Sequence, residues 1–230
     1  MSDRRQRAVG RVRVACRVLV WVGLPILLAI PFAVLLYPGE WLGPGAAKGY
    51  SFSMDFLSAL GRWKTAQGIA NPISATVFNG ALVGCGLLYG IFFWPGRATF
   101  VARFHWRVLM LASGWIMAIG LAGIGLTPYD SFPHIHDNLC SVALAGGFLA
   151  VFVALVGSGR QFEPTVARWI TLATLGSVPL VALLVHVAIE SDLLRSRPAM
   201  PLLQKGVVSL LVGWTYWQVW LMSRRSSALE

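Results

Sequence analysis

The chain has 230 residues, of which 57% are hydrophobic and only 12% charged, with a mean hydropathy of +0.68 and a formal net charge of +10. Soluble domains carry about a quarter charged residues, so this composition excludes an ordinary soluble domain, which could not hide so much apolar surface. Crossing a ~30 Å hydrocarbon layer takes about 20 apolar residues. Six such stretches use most of the length and leave no room for a separate soluble domain.

The first predicted element is a membrane-spanning helix over Arg17–Leu36. Its arginine-rich approach and apolar run resemble a signal peptide, but Val18–Leu36 is longer than a usual signal core, so an uncleaved signal anchor is expected. If processing occurred, Gly45-Ala46-Ala47 would be the site. A long external loop, Tyr37–Pro72, follows. Its front half is rich in Gly and Pro, whereas Ser51–Lys64 sets Phe52, Phe56, Leu57, Leu60 and Trp63 at helical spacing. That spacing predicts a short amphipathic helix, lying in the interface or packed over the bundle.

The remaining predicted spans are Ile73–Trp94, Val108–Leu126, Leu139–Ser158, Trp169–Ile189 and Gly206–Met222. Helices are expected because backbone polar groups in hydrocarbon must be satisfied within the segment, and no dyad alternation of polar residues suggests a barrel. The predicted fold is therefore all-α: a six-helix integral membrane bundle forming one domain over residues 1–230. Gly80, Gly84, Gly86 and Gly90 in the second span, then Gly114, Gly120, Gly125, Gly146 and Gly147, predict close helix approach.

Charge sets the expected orientation. The N-terminal tail, the second and fourth loops and the C-terminus hold 13 of the 19 basic residues against Asp3, Glu163 and Glu230, so that side carries the whole +10. The positive-inside rule then puts both termini in the cytoplasm. The same distribution explains a pI near 10.4 without nucleic acid. Membrane lipids are the expected partners, and the small-residue stripes also suit a membrane-protein partner or a second copy of the chain. Cys16, Cys85 and Cys140 show no CxxC spacing and read as packing residues.

Polar residues at the spans gather toward the opposite, external ends. Asn79 lies in the second span, and His186 and Glu190 share a face at i, i+4 at the end of the fifth. Asp130, His134, His136 and Asp137 flank the fourth, with Asp137 or Asn138 as its N-cap, and Gln204 and Lys205 open the last. Ionisable groups at such positions point to partners or function. They outline an outward polar pocket of Asn79, Asp130, His136, Asp137, His186, Glu190 and Lys205, with Trp41 and Trp63 at its rim. His136, Asp137 and His186 could together hold zinc, with Glu190 or Asp55 as general base for a metal-bound water. Neither HExxH nor HxxxH occurs, however. Haem between His136 and His186 is disfavoured by their shallow depth and the lack of a matching inner pair.

The segment Tyr50–Gly61, Asn71-Pro72, Phe78-Asn79-Gly80, Gly125–Asp130 with His134–Asp137, and Gln204-Lys205-Gly206 together resemble the bacterial six-helix membrane family called domain of unknown function 998. The resemblance spans roughly residues 15 to 222. That family is similar in layout to the damage-regulated autophagy modulator group and, more remotely, to seven-helix metal-dependent hydrolases that include alkaline ceramidases. The resemblance implies the membrane fold. The hydrolases carry paired histidines on their last helix, and Gly206–Met222 contains none. Two functions are thus expected to compete: a non-enzymatic protein whose pocket takes a lipid headgroup, small ligand or partner, and a metal-dependent hydrolase of a lipid amide or ester.

Overall fold

A computed structural model describes residues 3–39, 49–100, 104–157 and 199–227, together with Val166, Trp169 and Ala173. Among the described residues there are five α-helices: α1 (Asp3–Leu36), α2 (Pro72–Phe100), α3 (Phe104–Leu126), α4 (Pro133–Gly157) and α5 (Ala199–Ser227). A five-residue 3-10 helix, Leu57–Gly61, stands between α1 and α2.

Among the described residues four helices are long and apolar enough to cross a membrane, over Arg13–Leu36, Pro72–Trp94, Phe104–Leu126 and Pro133–Gly157. The chain is a multi-pass membrane protein on that basis. The expected six-helix bundle is corrected: the described residues hold five α-helices and four candidate spans. Gly206–Met222 does lie within a helix, α5, but its tryptophans together with Thr215, Tyr216 and Gln218 keep α5 out of the apolar set. Of Trp169–Ile189 only Trp169 and Ala173 are described, both helical, and the rest lies outside the described residues. So do Trp41 and Gly45-Ala46-Ala47.

α2 and α3, α3 and α4, and α1 and α2 pack side by side, with α5 against α1. Small residues make this possible. A Cβ on Gly146 would stand 2.5 Å from the Met117 amide nitrogen, and one on Gly120 2.7 Å from Ala143 Cα, so the α3–α4 seam is backbone against backbone. Gly86 does the same for α2 against α3, 2.6 Å from the Ala118 oxygen. Gly80 is the exception among the predicted packing glycines, for it faces open space. The core has two parts. Phe92, Phe93, Met110, Val151, Leu211 and Trp214 belong to the larger, and Ala33, Tyr37, Ala59, Leu60 and Phe78 form the smaller, toward the other end of the bundle.

That second core is roofed by residues 49–71, here called the cap. The predicted amphipathic helix over Ser51–Lys64 is not formed. The Asp55 carboxylate takes the Ser51 N–H at 2.7 Å, closing a turn, and Phe56 is extended at φ −70°, ψ 152° before the five-residue 3-10 segment. Arg62 is extended again. The periodic apolar residues therefore separate: Leu60 is fully buried against the bundle, while Phe52, Phe56 and Trp63 face outward.

α4 also begins earlier than Leu139. Proline is favoured in the first turn because its missing N–H has no helical partner there. Pro133 opens the helix and His136 N–H bonds the Phe132 carbonyl at 2.9 Å. The predicted cap at Asp137 or Asn138 is thereby corrected to a start one turn earlier, which places His134, His136 and Asp137 inside the helix.

Candidate functional site

The cap is fastened at three polar seams, in which side chains at helix ends, at the cap's own junction with α2 or in the α3–α4 turn bond backbone atoms of the loop. The first lies on α5. Lys205 is buried, and its Nζ donates to the Asp55 carbonyl at 2.5 Å and to the Pro201 carbonyl at 3.2 Å. The ammonium also sits 5.3 Å from the Tyr50 ring centre and 5.2 Å from that of Phe52, within the range of cation–π attraction. Burial pushes the Lys205 ammonium below the ordinary lysine value, and the nearby Asp55 opposes that shift. Tyr50 Oη donates to the same Asp55 carbonyl at 3.0 Å, and Gln204 Oε1 accepts the Leu57 N–H at 2.8 Å.

The second seam lies on α2. Asn71 Nδ2 donates to the carbonyls of Leu60 and Arg62 at 3.2 and 2.9 Å, Ser74 Oγ donates to Leu60 at 3.2 Å, and Asn79 Nδ2 donates to Gly61 at 2.9 Å. A loop that turns without regular structure leaves carbonyls unpaired, and buried ones must find donors. Gly61 is required here, because a Cβ at that position would collide with Asn79 Oδ1.

The third seam is the turn from α3 to α4. Lys64 N–H donates to Asp130 Oδ2 at 3.1 Å, and the Arg62 guanidinium lies 4.7 Å above the Tyr129 ring. Tyr129 meets His136 edge to face at 5.6 Å. His136 is 3% exposed, and its Nδ1 lies 2.7 Å from the Thr127 carbonyl. A carbonyl only accepts, so Nδ1 carries the proton and Nε2 is left as an acceptor. That Nε2 is buried and has no hydrogen-bond partner among the described residues.

Of the predicted pocket residues, the structure brings Asn79, Asp130, His136 and Lys205 to the same end of the bundle, with Asp55 beside Lys205. Asn79, Asp130 and Lys205 each bond a backbone atom of the cap, whereas His136 bonds the Thr127 carbonyl of the α3–α4 turn. Asp137 and His134 are exposed on α4, and His186 and Glu190 lie outside the described residues. Among the described residues no group of three or more His, Cys, Asp or Glu side chains could hold a metal ion. The zinc and haem ligand sets therefore rest on undescribed partners for His136. Asn71, Ser74 and Arg62 went unassigned by sequence reasoning. The Asn71-Pro72 pair marks a helix start, and Ser74 follows on the next turn, but carbonyl partners leave no trace in a sequence.

Comparison with protein-family models, with curated proteins and with solved structures gives no match.

Proposed function

We propose that this multi-pass membrane protein is a non-enzymatic binding protein, in which the polar seams beneath the cap receive a lipid headgroup, a small ligand or a partner's polar group. The buried Nε2 of His136, unpartnered among the described residues, carries this reading. An unsatisfied buried acceptor costs about 1–3 kcal/mol, and a hydroxyl or ammonium donor from a headgroup would recover that. Arg62, on the Tyr129 ring that borders His136, offers a cation for a phosphate in the same seam. The resemblance to the domain of unknown function 998 is part of the proposal. Its motif segments are the ones that form the cap, the α3–α4 turn and the Gln204-Lys205 anchor. We further assign the arginine-rich end to the cytoplasm from the charge asymmetry, and the protein to a bacterial inner membrane from the family resemblance.

One observation favours the alternative, a metal-dependent lipid amide or ester hydrolase. A metal-ligating histidine usually donates its other ring N–H to a carbonyl or carboxylate, and His136 does so toward Thr127. The described residues alone do not supply a ligand set around it, and the Asp55 carboxylate is engaged by the Ser51 N–H.

Native mass spectrometry of protein released from nanodiscs of phosphatidylcholine, with and without phosphatidylethanolamine or phosphatidylglycerol, tests the favoured function. Retained lipid in the wild type that is lost in His136→Phe is expected, and equal retention by both would refute it. Stoichiometric zinc in the purified protein, lost in His136→Ala, would put the hydrolase in its place.

A further inference from the structure

The outward faces of the cap form part of a ring. Phe52 is 66% exposed, Trp63 44% and Phe56 40%, although all three lie on a segment otherwise pinned down by polar bonds. Large apolar side chains are also exposed where the helices end at this level: Leu35 on α1, Ile73 on α2, Leu126 on α3, Ile135 on α4 and Leu202 on α5. Each of the five helices thus presents apolar surface beside the cap. A protein partner needs one contiguous patch, whereas a bilayer needs a collar. Aromatic residues collect at the boundary between hydrocarbon and water because one end of the ring system suits each phase. Lys64, next to Trp63, is exposed and could reach lipid phosphate from there, as long cationic side chains do at membrane surfaces.

We infer that the cap is embedded in the interfacial layer of the bilayer, with Phe52, Phe56 and Trp63 among the lipid headgroups and glycerol backbones, rather than standing in water above it. The occupant of this surface is the lipid bilayer itself. The inference is independent of what binds at His136, since it rests on the exposed collar and not on the buried seams. It restores in another form the interfacial role that the apolar periodicity of Ser51–Lys64 suggests: a turn and a 3-10 segment carry it instead of an amphipathic helix.

The test uses the full chain with Cys16, Cys85 and Cys140 replaced by serine, reconstituted into phosphatidylcholine–phosphatidylglycerol vesicles. An environment-sensitive fluorophore is attached at Phe56→Cys or Trp63→Cys, and at Ile119→Cys on the exposed face of α3 as a deep reference. Emission from the two cap positions should be blue-shifted from its value in water. It should be quenched at least twofold more by shallow than by mid-chain doxyl lipids, the reverse of the order at Ile119→Cys, and little by aqueous iodide. Strong iodide quenching with no doxyl preference would overturn the inference, and protection from both quenchers would do so by assigning the surface to protein contact. Should the labelled proteins misfold, wild type and Trp63→Phe are compared with headgroup-proximal brominated lipids. Trp63 is then expected to account for a measurable share of the lost tryptophan emission, and identical quenching of the two proteins would overturn the inference.

Discussion

Truncating Asn71 and Ser74, singly and together, measures how the cap is held. Asn71 is buried and donates to two carbonyls, while Leu60 oxygen receives a second bond from Ser74. At about 1 kcal/mol per net hydrogen bond, Asn71→Ala should cost about 2 kcal/mol and Ser74→Ala about 1 kcal/mol. In each single variant Leu60 oxygen keeps one donor. In the double variant it loses both while fully buried, and stranding such an acceptor costs about 1–3 kcal/mol more. The double variant should therefore fall below the sum of the singles by at least 1 kcal/mol or so, a coupling that contacting residues show and distant ones do not. Denaturant unfolding in detergent micelles gives the cycle, and hydrogen exchange over residues 57–63 shows whether the loss is local to the cap. Additivity within about 0.5 kcal/mol, with unchanged exchange at Leu60 and Gly61, would refute the view that these side chains clamp the loop.

The α3–α4 seam should reject any side chain: Gly120→Val and Gly146→Val should each lower stability by about 1–3 kcal/mol through overpacking, while Gly80→Ala, in open space, should be neutral or slightly stabilising by thermal unfolding. Lys205 should make stability depend on pH in a defined sense. Its folded ammonium titrates below the unfolded value of 10.5, so the unfolded chain binds more protons between those two points and stability should rise with pH there. Other groups titrate in that range, so the quantity to follow is wild type minus Lys205→Met; a difference that falls as pH approaches 10.5 would contradict the burial argument. Gly61→Ala should dislodge Asn79 from the Gly61 carbonyl and raise exchange across Leu57–Gly61, with no change expected in the first turns of α3.

The four candidate spans were legible because a run of apolar residues about 20 long has few alternatives. Each structural span contains nearly all of the expected one, and the boundaries moved outward where a start residue such as Pro133 was passed over. α5 was legible as a helix. Its crossing was not, since tryptophan and tyrosine serve a boundary as well as an interior. The cap misled because apolar spacing of three and four does not reveal that the backbone turns at Asp55 and is extended at Phe56 and Arg62, which sends Leu60 inward and Phe52, Phe56 and Trp63 outward. For the site, residue type at the helix ends was informative: Asn79, Asp130, His136 and Lys205 do lie at one end of the molecule. Their partners were not, because most are main-chain carbonyls or amides, and these carry no residue identity. Asp55 and Lys205, 150 positions apart, could not have been paired from spacing.

The bonds from α5 to the cap bear on how the chain is made. Leu57 N–H and the Asp55 carbonyl find Gln204 and Lys205 some 150 positions downstream, so the cap is synthesised long before two of its anchors exist. During translation the loop must wait, half-fastened to α2, until the final helix arrives. A nascent chain stalled before Ala199 would leave the Leu57 N–H without Gln204 and the Asp55 carbonyl with Tyr50 but not Lys205, a recognisable mark of incomplete assembly for quality-control proteases to read.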